Sequence, residues 1–160
     1  MMDRNDYLVS GEELKCCCGT ESSKLKVTVN RGLYIGDNLA ATMADNLPMV
    51  NVGCFGKCMA NPDLPMPCMF NGFWMDASNK ITICDFPALT KNSALICKMG
   101  PGVIVARNNE KVQKKYKKIL EKKDGMDKVL EMRRAFLKEE KIKEIDIDNC
   151  HDVYLKSVRK

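Results

Sequence analysis

The chain contains a single histidine, His151, and aromatic side chains make up only 6% of its 160 residues. A catalytic Cys–His pair would have to use this one imidazole, which lies far in sequence from eight of the nine cysteines. The motifs GxSxG, HExxH, GxGxxG and the Walker phosphate loop are also missing. We therefore expect no enzymatic activity, and we interpret His151 as an ordinary surface residue.

Long apolar runs are missing as well. No window approaches the roughly 20 consecutive apolar residues of a membrane-spanning helix, and the opening MMDRNDYLVSGEELK lacks the apolar core of a signal peptide. We expect synthesis in the cytosol, where thiols stay reduced, although export by a route without a signal peptide remains open. In a reducing compartment, nine cysteines favour metal binding over disulfides.

Composition changes sharply near Arg107. Residues 1–108 hold ten Lys/Arg and ten Asp/Glu, whereas residues 109–160 hold sixteen against eleven, so the whole net charge of +5 lies in the C-terminal part. All six prolines and nine of the ten glycines precede residue 109. The sequence therefore predicts a first domain over residues 1–107 and a charged extension over residues 108–160.

The first domain reads as short strands separated by turns. Patterns such as KVTV, KITI and GVIVA are typical of strands, and Gly- and Pro-rich segments lie between them. The predicted strands are Leu25–Val29, Leu33–Ile35, Ala40–Met43, Met49–Val52, Lys80–Cys84 and Gly102–Ala106. This pattern predicts a mainly β unit.

The extension reads as helical. Val112, Tyr116, Ile119 and Leu120 form one apolar stripe on a Lys-rich helix that ends near Asp124. A second stripe runs from Met126 to Leu137, and a third short element is predicted near Asn149–Val158. The two stripes need a partner, which is the other helix, the β unit or a different molecule.

The cysteines are the most informative residues. Cys16, Cys58, Cys68 and Cys97 each lie in or beside a turn. Thiols that converge from distant loops indicate a metal site or a disulfide framework. Their spacing is not that of a paired CxxC zinc ribbon, and buried reduced thiols are the ordinary alternative. We also expect that Cys16, Cys17 and Cys18 cannot all point the same way from an extended strand.

Four segments, in order, resemble the cysteine-rich PAAR-like proteins that cap the spike of contractile injection systems such as type VI secretion. They span about residues 8–106 and read GEELKCCCG at 11–19, ADNLPMVNVGCFGKC at 44–58, LPMPC at 64–68 and FPALTKNSALICKMGPGVI at 86–104. Pro101 and Met99 depart from the family pattern, in which Gly and often Trp stand at these places.

The resemblance implies a small, cone-like β unit that sharpens the tip of a trimeric spike of the valine–glycine-repeat type. It implies a structural metal, zinc or alternatively iron, at the family's recurring cysteine positions Cys16, Cys58, Cys68 and Cys97. It also implies assembly on the injection apparatus, export by it and transient contact with a target membrane. We expect residues 109–160 to carry or dock cargo or an effector.

Nucleic-acid binding is an alternative to the spike-tip function. The basic run at residues 111–123 is compatible with a metal-stabilised module that binds nucleic acid. Because the acids Glu110, Glu121 and Asp124 flank the run and Tyr116 is its only aromatic residue, a solvated helix face is the simpler interpretation. We therefore expect no nucleic-acid partner.

Overall fold

The strands that the structure describes are short and pair in antiparallel fashion. The computed structural model describes residues 6–47, 49–59, 72–78, 80–84, 86–97, 102–107 and 109–139. The elements are β1 (Glu13–Cys16), β2 (Ser22–Lys24), β3 (Tyr34–Ile35), β4 (Asn38–Leu39), β5 (Gly72–Met75), β6 (Thr82–Ile83), β7 (Phe86–Pro87), β8 (Ala94–Cys97), β9 (Val103–Ala106), α1 (Glu110–Leu120) and α2 (Gly125–Glu139). The fold is therefore mainly β with a helical C-terminal extension, as predicted.

A five-stranded sheet in the order β2-β1-β9-β8-β5 forms the centre of the molecule, and β3-β4 and β6-β7 pair as separate two-stranded sheets. Strand β9 is central because it pairs with β1 through Lys15 and Val105 and with β8 through Leu95 and Ile104. Sheet order thus differs from chain order.

Side chains along β5, β8 and β9 alternate between the two faces of this sheet, as strand geometry requires. One face, which we call the loop-covered face, packs against buried residues of the N-terminal loops. Its sheet residues are Leu14, Trp74, Leu95, Cys97, Ile104 and Ala106, and the loop residues include Leu8, Leu25, Met43, Val52 and Phe55.

The opposite, helix-covered face packs against the two helices. Its sheet residues are Phe73, Met75, Ala94, Ile96, Val103 and Val105, and they share one buried cluster with Tyr116 of α1 and Val129 of α2. Leu137, near the end of α2, belongs instead to the cluster of the loop-covered face. The apolar stripes of both helices therefore pack against the β unit, with Tyr116 and Val129 buried and their apolar neighbours partly buried.

Polar contacts hold each cover in place. On the loop side, the Trp74 indole N–H donates to the Asp45 carbonyl at 2.9 Å, and Asp45 forms a buried ion pair with Arg31 at 3.0 Å. On the helix side, the Tyr116 hydroxyl donates to the Asp76 carboxylate. Burial raises the pKa of Tyr116 above its usual value, and this hydrogen bond and the Asp76 charge raise it further.

Several predicted strands are wrong or shifted. Leu25–Val29 contributes only an isolated bridge at Leu25, because the strand there is β2 and ends at Lys24. Ala40–Met43 likewise contributes only bridges. Met49–Asn51 is a turn in which Met49 has a φ of 63°, and Val52 forms only the isolated bridge with Leu25. The predictions at Leu33–Ile35, Lys80–Cys84 and Gly102–Ala106 contain β3, β6 and β9. The predicted element at 149–158 lies outside the described residues.

Candidate thiol site

Two of the four selected cysteines converge on one glycine at the end of the five-stranded sheet. Cys16 ends β1 and Cys97 ends β8, and both strands flank β9, which begins just after Gly102. A methyl group placed on Gly102 would lie 3.2 Å from the Cys16 Sγ and 3.3 Å from the Cys97 Cβ. The absence of a side chain at Gly102 therefore leaves room for both cysteines.

Cys58 reaches the same corner from the loops. It forms a β-bridge with Gly19, three residues after Cys16. A methyl group on Gly19 would lie 3.3 Å from the Cys16 Cβ and within 2.7 Å of Phe55 backbone and side-chain atoms, so this close approach needs glycine. Three of the four selected cysteines thus lie in one region of the fold.

A metal site made of these four cysteines stays a prediction. The fourth, Cys68, lies outside the described residues, and so does His151. Within the ranges described above, no group of three or more His, Cys, Asp or Glu side chains is arranged to hold a metal ion. The seven cysteines in those ranges are thiols rather than disulfides.

The neighbouring pair Cys17 and Cys18, which the sequence analysis set aside, belongs to this corner too. The expectation that the three consecutive cysteines diverge assumed an extended strand, but β1 ends at Cys16 and the chain turns at the next two residues. The turn brings the Cys17 and Cys18 sulfurs within 3.6 Å of each other. The argument from strand alternation did not include the end of β1 at Cys16 and the turn that starts at Cys17.

The thiols of this corner differ in acidity. A hydrogen bond from the Cys16 thiol lowers the pKa of Cys17 to about 5, and the Val103 N–H, the Cys18 thiol and the Lys117 charge act in the same direction against the effect of burial. The bond to Cys17 and burial raise the pKa of Cys16. Burial and the charge of Cys17 raise that of Cys18 to about 12. Of these three thiols, Cys17 is therefore the most acidic.

The remaining described cysteines make other contacts. The Cys54 thiol donates to the Gly56 carbonyl at 3.4 Å, and the exposed Cys84 thiol lies 3.8 Å from the Arg31 carbonyl. These two residues provide matched controls for experiments on the thiol corner.

The basic helix exposes its lysines because its apolar stripe is buried. On α1, Lys111, Lys114, Lys117 and Lys118 are exposed, whereas Tyr116 is fully buried. Lys115 also pairs with the partly exposed Asp76 at 3.2 Å. None of the described helices is both long enough and apolar enough to span a membrane.

A cavity of about 430 Å³ lies apart from the thiol corner, beside the β3-β4 hairpin. Leu33, Tyr34, Ile81 and Ala88 are among the residues that line it, and Tyr34 is half exposed. Its described lining consists of apolar and tyrosine side chains and Gly36, which together offer an apolar binding surface.

One comparison with known proteins identifies the chain's family. A family model described as "Domain of unknown function (DUF4280)" matches residues 8–111, well over half of the chain. The protein belongs to this family. The match includes the whole five-stranded sheet and stops two residues into α1. No curated protein and no solved structure matches the chain significantly.

Proposed function

We propose that this protein is the structural tip that caps and sharpens the trimeric spike of a contractile injection system, and that it is not an enzyme. The observation that carries the proposal is that the family match, over residues 8–111, covers the stretch that holds the segments resembling PAAR-like proteins. The four ordered motifs, which span about residues 8–106, support the same conclusion.

The packing of the β unit fits a mechanical role. A tip that transmits force must resist shear between its layers, and here both faces of the central sheet are buried under other elements. The buried ion pair joins the loop that holds Arg31 to the loop that holds Asp45. The hydrogen bond from Tyr116 to Asp76 joins α1 to the end of β5. Such specific contacts hold one arrangement of the layers against others.

A structural metal forms part of this proposal. Cys16, Cys58, Cys68 and Cys97 would hold zinc, or alternatively iron, because thiolates are the ligands that both metals favour in closed structural sites. The bound metal would add folding free energy where a narrow tip has little core. The convergence of Cys16 and Cys97 on Gly102 and the approach of Cys58 through Gly19 support this donor set.

The extension would then bind a cargo protein through its polar surface. Its apolar stripes are buried on the sheet, so a cargo or effector protein would meet the exposed lysines of α1. An acidic partner surface fits this chemistry. On this proposal the protein is made in the cytoplasm, leaves with the apparatus and touches the target membrane only transiently.

The test is binding to the trimeric spike protein encoded in the same genome. The purified chain and spike are mixed, and the mass of the complex is measured by light scattering after size-exclusion chromatography, at low and at high salt. We expect one chain per spike trimer and little change with salt. A chain that elutes alone at both salt concentrations, while the spike remains trimeric, would contradict the proposal.

Because the lysines of α1 are exposed, nucleic-acid binding is a second candidate function. Binding through lysine–phosphate contacts weakens steeply as salt rises, because counterions are no longer released. A triple Glu substitution at Lys111, Lys114 and Lys118 should abolish it. Tight DNA or RNA binding with this behaviour, together with failure to bind the spike, would favour the second candidate.

A further inference from the structure

We propose that residues 144–148 of this chain bind as an extended strand in the apolar groove between β3 and the start of β6, with the side chains of Ile145 and Ile147 in the groove. This groove is the cavity of about 430 Å³ described above. The inference goes beyond the proposed function, because the segment would occupy the groove whether or not the chain caps a spike.

The groove collects exposed hydrophobic side chains. Six large hydrophobic side chains are exposed in the described ranges, and three of them, Leu33, Tyr34 and Ile81, line this groove. Below it lies a small buried cluster, separate from the two clusters of the central sheet, that contains Tyr7, Ala40, Ile83 and Ala88. Exposed apolar surface that gathers in one place is typical of a site where another segment binds.

The main chain beside the groove has edges that a strand can extend. β3 and β6 each belong to a two-stranded sheet, and no other strand in the described part of the chain pairs with either. The Ala40 N–H donates to the Leu33 carbonyl and the Ala88 N–H donates to the Ile81 carbonyl, both at 3.0 Å. These bonds use the inner edge of each segment. The outer edge is left for an added strand, which gains affinity from main-chain hydrogen bonds and register from alternate side chains.

Residues 144–148 have the pattern of such a strand. They read Glu-Ile-Asp-Ile-Asp and lie outside the described residues. In an extended chain, Ile145 and Ile147 lie on one face and the three acidic residues lie on the other. Branched isoleucine side chains also favour strands. The apolar face therefore suits the groove, and the acidic face stays in water.

The end of α2 brings the chain to the layer that holds the groove. Leu137 shares a buried cluster with three residues that are each next in sequence to a groove residue. These are Leu8 beside Tyr7, Ala41 beside Ala40, and Leu89 beside Ala88. The five residue steps from Glu139 to residue 144 span about 17 Å when extended. This length exceeds the roughly 10 Å between packed layers of strands, so the segment is long enough to cross one layer.

The covalent link favours this occupant over a separate peptide. A segment tethered by a few residues is present at its site at a millimolar effective concentration. A free peptide with the same contacts would have to reach that concentration to compete. The chain's own segment is therefore the occupant that the length of the chain and its sequence favour.

The first test is hydrogen exchange of the full-length chain, followed at each backbone amide by NMR. The double substitution Ile145→Asp/Ile147→Asp places charge in the groove and should release the segment. Amides in residues 33–36 and 81–83 should then exchange about tenfold faster or more, because burial of one such side chain is worth a factor of that order. Ile142→Asp is the matched control. Ile142 falls on the opposite face of the strand, so this substitution should leave the rates unchanged.

The second test changes the groove instead of the segment. Ile81→Asp should speed exchange across residues 144–148, whereas Met132→Asp should not. Both residues are 37% exposed, but Met132 lies on α2 and does not line the groove. Unchanged exchange across 144–148 in Ile81→Asp would overturn the proposal, as would fast exchange of these residues in the unmodified chain. If Ile81→Asp does not fold, the double substitution still decides, because it alters no residue of the described fold.

Molar mass identifies which molecule supplies the segment. Light scattering after size-exclusion chromatography should give a monomer under the conditions in which the groove amides are protected. A dimer that dissociates on the double substitution would assign the groove to the segment of a second copy. That result would overturn the intramolecular assignment.

Discussion

The two faces of the central sheet are covered by different parts of the chain. Loops, mainly from the first 60 residues, cover one face together with Leu137 at the end of α2, and the rest of the two helices covers the other face. The family match contains the sheet and the loops but only the first two residues of α1. The helix-covered face is nevertheless as apolar as the loop-covered face, so the extension is structurally part of the β unit in this protein.

Removal of the extension should have the largest effect. Truncation after Arg107 would expose Phe73, Met75, Ile96, Val103 and Val105. Each buried side chain of this size contributes about 1.5–3 kcal/mol, so the sum is comparable to the total of roughly 5–15 kcal/mol for a typical domain. We expect the 1–107 chain to aggregate or to lose cooperative unfolding in urea.

A second truncation provides the control for the first. A chain ending at Glu139 retains every described residue of both buried clusters, up to Leu137. It should stay soluble and unfold cooperatively. Cooperative unfolding of the 1–107 chain at a similar urea midpoint would show that the helices contribute little to the fold.

Single substitutions on adjacent residues test the two faces separately. Phe73 points to the helix-covered face and Trp74 to the loop-covered face, and both are at most 2% exposed. Phe73→Ala and Trp74→Ala should each lower the free energy of unfolding by about 3–5 kcal/mol, measured by urea denaturation with circular dichroism. A loss below about 1 kcal/mol for Phe73→Ala would mean that the helix cover is loose.

Substitutions in two ion pairs test the polar contacts that hold the loops and the helices in place on the two faces of the sheet. Arg31 and Asp45 are 9% and 1% exposed, whereas Lys115 and Asp76 are 54% and 40% exposed. Arg31→Gln leaves a buried carboxylate without its counter-ion and should cost about 3–5 kcal/mol. Lys115→Gln should cost about 0–1 kcal/mol because solvent screens the pair.

The prediction for Arg31→Gln is checked by the pH dependence of its deficit, that is, of the free energy of unfolding that the substitution removes. Burial raises the pKa of Asp45, and the Arg31 charge opposes this effect. Without Arg31, the folded state should favour the protonated acid even more. The deficit should therefore shrink as pH falls toward about 4, the unfolded pKa of an aspartic acid. A deficit independent of pH would indicate that packing, rather than charge, explains the loss.

A small effect is expected at the helix–sheet hydrogen bond. Tyr116→Phe removes the bond to Asp76 and should cost about 1 kcal/mol at neutral pH. Because the folded pKa of Tyr116 is raised, its stabilising contribution is fully present below about pH 10 and is lost as pH rises further. The difference between the two chains in thermal stability should therefore narrow above pH 10, and a constant difference would contradict this assignment.

Local patterns predicted part of this fold. The change from β to helix near Arg107 followed from composition, and β9 was readable in GVIVA because its branched side chains are typical of strands. Strands β5 and β8 were missed for a physical reason. Their sequences GFWM and ALIC are buried on both faces, so they lack the alternation of polar and apolar residues that marks a half-exposed strand.

The candidate site was less predictable because it depends on where one strand ends. The resemblance selected Cys16, Cys58 and Cys97, which converge near Gly102 and Gly19. The pairing of Cys17 with Cys18 arises from a turn that pairing of β1 with β9 imposes. Such long-range pairing leaves no mark in the local sequence.

Equilibrium unfolding of the full chain by two probes tests the central claim, that sheet, loops and helices form one cooperative unit, as the proposed spike-tip role requires. Trp74 is the only tryptophan and reports on the loop-covered face, and far-ultraviolet circular dichroism at the helical minimum reports on α1 and α2. We predict coincident urea transitions, as expected for a single cooperative unit. Helices that melt well before the tryptophan signal changes would contradict the account.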